Sequence, residues 1–249
     1  MSPSRSGSTL LWLLNAFDLR HEEQPVRVCG SAQRLLAFLA LQRRAVHRRT
    51  LAATLWPDLD ERSAATRLRS TLWRLPAPAG ERLVDSDGGQ VRLTPVLEVD
   101  LHLAEDDALA ERLDVTQLCG EVLPEWDEPW VEAERERFRQ LRLHRLEESA
   151  DRALRHGHHH LALQAALAAV STEPLRESAH RRVMEIHLAE GNPAEALRHY
   201  HTVRRLLRDE LGLPPAPATR AVVASLLGRP VDGRSADSRS VRSLDARSA

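Results

Sequence analysis

The spacing of hydrophobic residues changes several times within the first hundred positions. Apolar runs predict short strands on both sides of a three-helix segment, with Ser31 and Asp60 placed to cap two of the helices. A polar turn at 86–89 separates two further short runs and predicts a β-hairpin. The predicted elements are strands over 10–19 and 26–28, helices over 32–42, 48–56 and 61–75, and strands over 82–85 and 90–93. This order predicts a winged helix-turn-helix.

After residue 100 the pattern becomes helical throughout, and a repeat of about 34 residues appears. The predicted helices cover 101–113, 128–156, 160–171, 175–190, 193–211 and 216–228. The repeat aligns Leu154 with Leu188, Gly157 with Gly191, Ala162 with Ala196 and Leu163 with Leu197. Thirty-four residues is the tetratricopeptide period, in which antiparallel helix pairs stack. We therefore predict a mainly α protein, an α+β winged helix followed by an all-α tetratricopeptide-like domain.

Four segments follow from these patterns. The predicted ranges are a disordered N-terminus at 1–9, a winged-helix domain at 10–95, a tetratricopeptide-like domain at 96–228 and a disordered Ser/Arg-rich tail at 229–249.

The helix predicted over 61–75 carries the clearest functional pattern. A helical projection places on its inner face Glu61, Ala64, Ala65, Leu68, Leu72 and Leu75. The opposite face has arginine, hydroxyl and aromatic side chains and no carboxylate: Arg62, Ser63, Thr66, Arg67, Ser70, Trp73 and Arg74, with Arg69 at its border. Arginine binds phosphates and guanine, and an α-helix fits the major groove, so this face predicts DNA binding.

Other arginines extend the predicted DNA-binding surface. Arg82 and Arg92 flank the hairpin and are expected to contact phosphates or the minor groove. The first inter-helix turn carries a basic cluster, which is expected to face phosphates and consists of Arg43, Arg44, Arg48 and Arg49. Charge agrees, since residues 1–95 hold 14 arginines against nine carboxylates, whereas residues 96–228 hold 16 against 24. A basic module beside an acidic one is typical of a polyanion-binding domain joined to a protein-binding domain.

No residue pattern predicts an enzyme, a cofactor or a metal site. Cys29 and Cys119 are far apart, and the adjacent histidines at 156–160 lack a zinc-ligand spacing, which favours a solvated loop. Phosphate-binding glycine loops and nucleophile motifs are also missing. A cytoplasmic protein is expected, because the sequence has neither a secretory leader nor an apolar run long enough for a membrane.

Several motifs in order resemble the SARP class of antibiotic-regulatory activators. Three runs, SAQRLLAFLA (31–40), LAATLWPD (51–58) and RLRSTLWRL (67–75), are similar to its OmpR-type winged helix. Four more, PEWDEPWV (124–131), EPLRESA (173–179), EGNPAEAL (190–197) and DELGLP (209–214), look like its bacterial transcriptional activation domain. The resemblance covers about residues 10–228.

The resemblance implies a transcriptional activator that binds promoter DNA at repeated sites, dimerises there and recruits RNA polymerase. One departure is that the predicted recognition helix runs into a Pro-Ala-Pro segment at 76–78, where many relatives continue with basic residues. Fewer phosphate contacts would make affinity depend more on dimerisation or a partner. The alternative is therefore a tetratricopeptide-like interaction adaptor whose winged helix is degenerate.

Overall fold

A computed structural model describes residues 8–106 and 115–227 of the chain. Most of the predicted N-terminal segment, the whole predicted tail and part of the predicted helix over 101–113 lie outside these residues. Thr9, assigned to the disordered N-terminus from sequence, is instead buried in the first strand.

The described chain is mainly α-helical, with two small sheets near its N-terminus. The strands are β1 (Thr9–Trp12), β2 (Asp18–His21), β3 (Gln24–Pro25), β4 (Val46–His47), β5 (Val84–Asp87), β6 (Gln90–Leu93) and β7 (Leu97–Val99). The helices are α1 (Gly30–Gln42), α2 (Arg48–Leu55), α3 (Glu61–Trp73), α4 (Asp100–Glu105), α5 (Val115–Leu118), α6 (Pro129–Arg155), α7 (His159–Thr172), α8 (Glu177–Ala189), α9 (Pro193–Leu211) and α10 (Pro217–Val222). One sheet has the order β3-β2-β1-β7 and the other the order β4-β6-β5.

The predicted winged helix is confirmed, with α1 at its centre. Every residue from Leu35 to Leu41 is buried, so this part of α1 is covered by protein on all sides and has no solvent-exposed face. Helix α1 contacts α3 and β6. Strands β5 and β6 form the wing, paired from Val84 with Leu93 to Asp87 with Gln90. The predicted four-residue turn is therefore too long. Gly88 and Gly89 alone form it, both with positive φ, which suits a two-residue hairpin turn.

Other local predictions were wrong for identifiable reasons. Ser31 does not cap α1, because the helix begins at Gly30 with Cys29 at the N-cap. The strand predicted over 10–19 is an antiparallel hairpin of β1 and β2, and the strand predicted over 26–28 pairs earlier, at 24–25. Two strands were missed: β4 has only two residues, and β7 pairs in parallel with β1 from far along the chain. Strand pairing between segments this far apart in sequence produces no periodic pattern that could be recognised within either segment.

A buried carboxylate joins the sheet to the first helix after the wing. Asp100 is fully buried and accepts hydrogen bonds from the backbone N–H groups of Leu13 and Leu14, 2.9 and 2.8 Å long, and from that of Leu101 at 2.7 Å. Burial raises the pKa of Asp100 to about 6, and the backbone donors oppose that rise.

The 34-residue repeat is visible in the backbone of two helix-turn-helix hairpins, α6–α7 and α8–α9. In the first turn, the N–H groups of residues 156, 157 and 158 donate to the carbonyls of 152, 154 and 153. In the second, residues 190, 191 and 192 donate to 186, 188 and 187, the same three bonds displaced by 34. Gly157 and Gly191 hold the same left-handed conformation, with φ of 72° and 76°.

The chain divides into two compact units, the first ending at Pro174 and the second beginning at Leu175. The first unit contains the winged helix together with α4–α7. Within it, Arg34 pairs with Glu128 at 2.7 Å and Phe38 packs edge-on against Trp130. The second unit consists of α8–α10 around Met184, Ala196, Tyr200 and Val223. This division lies at a different position from the domain boundary near residue 95 that the sequence predicts, which marks where the strand-like hydrophobic pattern ends.

Candidate nucleic-acid interface

Helix α3 is fixed at its start by Asp60, as the sequence predicted. The Asp60 carboxylate accepts from the backbone N–H groups of Arg62 at 3.0 Å and Ser63 at 3.1 Å. Hydrogen bonds from the Ser63 side chain and backbone lower the pKa of Asp60. The cap therefore remains ionised at neutral pH, where it complements the positive end of the helix dipole.

The buried face of α3 is narrower than the sequence predicted. Ala64, Leu68 and Thr71 are buried, following the spacing expected of one helix face. Glu61 and Ala65, predicted to point inward, are exposed instead. Packing against α1 and α2 therefore covers only part of the apolar face and leaves the rest of α3 accessible.

The predicted outer face is entirely exposed. Its eight residues are Arg62, Ser63, Thr66, Arg67, Arg69, Ser70, Trp73 and Arg74. Trp73 is 86% exposed, an unusual position for a large aromatic side chain. No carboxylate occurs from residue 62 to residue 74, and the one acidic residue of α3, Glu61 at its first position, pairs with Arg49 of α2.

Part of the outer face forms one wall of a groove against the start of α1. The groove has a volume of about 500 Å³ and is lined by Cys29, Ser31, Leu59, Arg62, Ser63, Thr66, Arg67, Ser70, Thr71 and Arg74. Arg67 Nη2 donates to Ser31 Oγ across it at 3.3 Å. No sequence pattern predicts that Cys29 and Ser31 lie here, since only tertiary packing brings the start of α1 to α3.

The wing is tied to α2 by a residue predicted to contact DNA. The Arg48 guanidinium donates to Ser86 Oγ at 2.6 and 3.2 Å, and its backbone N–H donates to Gly89 at 2.9 Å. Arg92 pairs with Asp85 across the wing at 2.9 Å. Within the described part of the chain, the Arg82 side chain has no hydrogen-bond or ion-pair partner.

The basic cluster between α1 and α2 is divided by the fold. Arg43 pairs with Glu105 and donates to the Leu101 carbonyl, and burial lowers its pKa, so it is a structural residue. Arg49 pairs with Glu61 at 3.0 Å, with both side chains largely exposed. Arg44 stays exposed. The structure therefore brings Arg48 to the wing and Arg49 to the start of α3, but takes Arg43 away from both.

Two further observations on the described residues concern metal sites and membrane spans. No group of three or more His, Cys, Asp or Glu side chains in the described ranges is arranged to hold a metal ion. The adjacent histidines form the turn between α6 and α7 and the first residues of α7. Among the helices described, none is long and apolar enough to cross a membrane.

Comparisons with known proteins agree with this architecture. Residues 117–227 match the bacterial transcriptional activator domain. The chain is 30% identical over 208 residues to the regulatory protein AfsR of Streptomyces griseus, covering 76% of this chain and 21% of that protein. It is 29% identical over 219 residues to AfsR of Streptomyces coelicolor, covering 80% and 22%. The chain thus spans about a fifth of the length of these relatives.

A solved structure shows the same fold. Mycobacterium tuberculosis EmbR, determined in complex with a low-affinity phosphopeptide, superposes with a TM-score of 0.69 at 20% identity, covering 91% of this chain and 67% of that one. The family resemblance inferred from the motifs is confirmed by the domain match and by the similarity to the two AfsR proteins.

Proposed function

Because this chain contains a bacterial transcriptional activator domain and resembles SARP-class regulators, we propose that it is a cytoplasmic transcriptional activator that binds promoter DNA through α3. The observation that carries the proposal is the outer face of α3, where arginine and hydroxyl side chains are exposed and no carboxylate intervenes. The same helix is held by its buried face and its Asp60 cap, so the exposed face is presented on a rigid support.

The dimensions of α3 suit the major groove. Thirteen residues give a helix about 20 Å long, and a single helix of this kind fits the groove width. Arg62, Arg69 and Arg74 have no side-chain partner among the residues described, so each is available to phosphate or guanine. Ser63, Thr66 and Ser70 lie between them and supply shorter donors and acceptors.

The wing would add contacts beside the helix. Arg82 is the arginine there whose side chain has no partner among the residues that the structure describes, and Arg92 would have to share or leave Asp85. In this proposal Arg48 acts mainly as a positioning residue, because its bonds to Ser86 and Gly89 hold the wing against α2. Arg49 contributes positive potential near α3 while paired with Glu61.

DNA binding is tested by fluorescence anisotropy with the full chain, a labelled duplex from its own upstream region and a scrambled duplex. The variant Arg67→Ala/Arg74→Ala should weaken specific binding by about 10- to 100-fold and reduce the salt slope by about two. The matched control is Arg204→Ala/Arg205→Ala, which removes the same charge from the exposed surface of α9 and should bind as wild type does. Equal binding of both duplexes by wild type and the Arg67/Arg74 variant would contradict the proposal.

We place contacts to RNA polymerase and to a second protomer in the helical part of the chain. This part matches the activator domain and is acidic, with 24 carboxylates against 16 arginines over residues 96–228. Sedimentation velocity with one-site and two-site duplexes tests dimerisation on DNA. A two-site duplex that binds two protomers independently would contradict the dimer.

The adaptor alternative is favoured by one observation: Arg48, Arg49 and Arg92, predicted to contact DNA, all have intramolecular partners. Footprinting on upstream DNA separates the two functions. A stable protein complex without any protected DNA would identify an adaptor.

A further inference from the structure

The uncovered part of α3 faces α2 across a second groove, on a different side from Ser31. Its volume is about 470 Å³, within the usual range of small-molecule sites. Its walls carry alanines on both helices, Ala52 and Ala53 from α2 and Ala64 and Ala65 from α3. Side chains this short leave space between the helices, which explains why Ala65 is exposed although it belongs to the apolar face.

The rim of this groove combines apolar surface with positive charge. Leu59, in the turn between the helices, is 44% exposed, and Trp56 lies beside it. Arg48, Arg49 and Arg69 also line the groove, whereas Glu61 is the only carboxylate there and pairs with Arg49. The Arg69 side chain has no partner among the described residues.

We propose that the α2–α3 groove binds an amphipathic organic anion of small-molecule size. Its apolar body would lie between the alanine-lined walls, and its acidic group would bind Arg69. Charge complementarity selects this occupant, because the unpaired Arg69 guanidinium attracts an acidic group and gives a neutral ligand no such interaction. A carboxylate or sulfonate can accept two N–H groups from one guanidinium. The site does not depend on the proposed DNA-binding function.

The test is a fluorescence titration of the full-length, tag-free protein with 8-anilinonaphthalene-1-sulfonate, in the absence of DNA. Ala65→Leu fills the groove from an exposed position, and Arg69→Gln removes the anion's partner. Each should weaken probe binding by about tenfold. The matched control Arg27→Gln removes an exposed charge elsewhere and should leave binding unchanged. Unchanged tryptophan emission and urea midpoints must accompany each variant.

Competition identifies the ligand chemistry. Decanoate should displace the probe from wild type, and decanol, which has the same apolar chain without the charge, should displace it much less. Equal displacement by both, or equal probe affinity in wild type and Ala65→Leu, would overturn the proposal. If Ala65→Leu instead changes the sedimentation coefficient, the groove is an interface between copies of the chain and the proposal is wrong. Since no DNA is present, failure here leaves the DNA-binding proposal untouched.

Discussion

Replacing Asp100 tests how the sheet of the first unit is held to the helices that follow it. The buried carboxylate accepts from Leu13 and Leu14 on one oxygen and from Leu101 on the other. Its pKa of about 6, raised by burial, lies below neutral pH. At about pH 7.5 the group is therefore ionised, and it can only accept hydrogen bonds.

The expected losses follow from these three bonds. In Asp100→Asn the amide oxygen can accept from Leu13 and Leu14, but the amide nitrogen then faces the Leu101 N–H. One hydrogen bond to a charged group, about 1.5–3 kcal/mol, is lost, and removing a buried charge offsets part of it, leaving a net loss of about 1–2 kcal/mol. Asp100→Ala leaves the Leu13 and Leu14 donors unpaired at about 1–3 kcal/mol each, so a net loss of about 2–4 kcal/mol is expected.

Urea unfolding followed by tryptophan emission measures these losses selectively. All five tryptophans precede Leu175, so their emission reports the first unit. Asp58→Asn, at an exposed position in the turn between α2 and α3, is the matched control and should leave the midpoint unchanged. If Asp100→Asn is as stable as wild type or more stable, the cost of burying the charge exceeds the value of its hydrogen bonds, and the reasoning fails.

Three further predictions concern single residues. Burial, and then the charges of His180 and His187, lower the pKa of His199 from 6.5 to about 4. Stability that is present above pH 6.5 should therefore be lost as the pH falls toward 4. After a discount for partial exposure, we expect His199 to contribute about 1 kcal/mol less stability at about pH 5 than at pH 7.5. Because protonation of Asp100 changes stability in the opposite direction, this contribution is measured as the difference between wild type and His199→Gln in urea unfolding followed by helical circular dichroism. Gly191→Ala should cost about 1 kcal/mol in the same assay because φ is 76°, whereas Gly30→Ala, without a positive φ, should be neutral or stabilising; equal effects would contradict the backbone argument. Trp73→Ala should change the unfolding free energy by less than about 0.5 kcal/mol because the side chain is 86% exposed, yet weaken DNA binding in the anisotropy assay; unchanged binding would remove Trp73 from the interface.

Sequence alone predicts the parts of this fold that local chemistry determines. Asp60 caps α3 as expected, because an Asp before a helix accepts from the first free N–H groups wherever the helix packs. The 34-residue repeat is also local, since each turn closes on its own hairpin. In contrast, β7 pairs with β1 across nearly ninety residues, and no periodicity within three residues records such a partner.

The candidate interface shows the same limit at the level of side chains. A helical projection correctly predicts that all eight outer residues of α3 are exposed. It cannot predict that Ala65 lines an open groove, because that depends on how closely α2 approaches. Nor can it predict the Arg48–Ser86 bond, which joins residues 38 positions apart and ties an arginine that was predicted to contact DNA to the wing.

Apart from histidine, arginine provides every basic side chain in this chain. Because several of these arginines are paired within the protein, a count of arginines overstates the number of positive charges that remain free to bind an anion. Inside the first unit, Arg135 donates hydrogen bonds to the carbonyls of Val122, Leu123 and Trp126, and Arg43 forms an ion pair with Glu105. The planar guanidinium satisfies several acceptors at once, which makes it an effective internal support as well as a phosphate ligand. Among the arginines of residues 8–95, all of which the structure describes, those without a partner on α3, at its C-cap or next to the wing strands are Arg62, Arg69, Arg74 and Arg82.

The number of unpaired arginines sets a quantitative expectation for the salt dependence of DNA binding. Four unpaired arginines predict a slope of log K against log salt of about −3.6 for one protomer, and adding the hydrogen-bonded Arg48 and Arg67 gives about −5.4. Anisotropy titrations on a one-site duplex at several salt concentrations measure the slope directly. A value steeper than about −6 would mean that ion-paired residues such as Arg49 and Arg92 leave Glu61 and Asp85 to bind phosphates. In that case Glu61→Gln and Asp85→Asn should strengthen binding; at the shallower slope they should act only weakly, because the guanidiniums they release are not used.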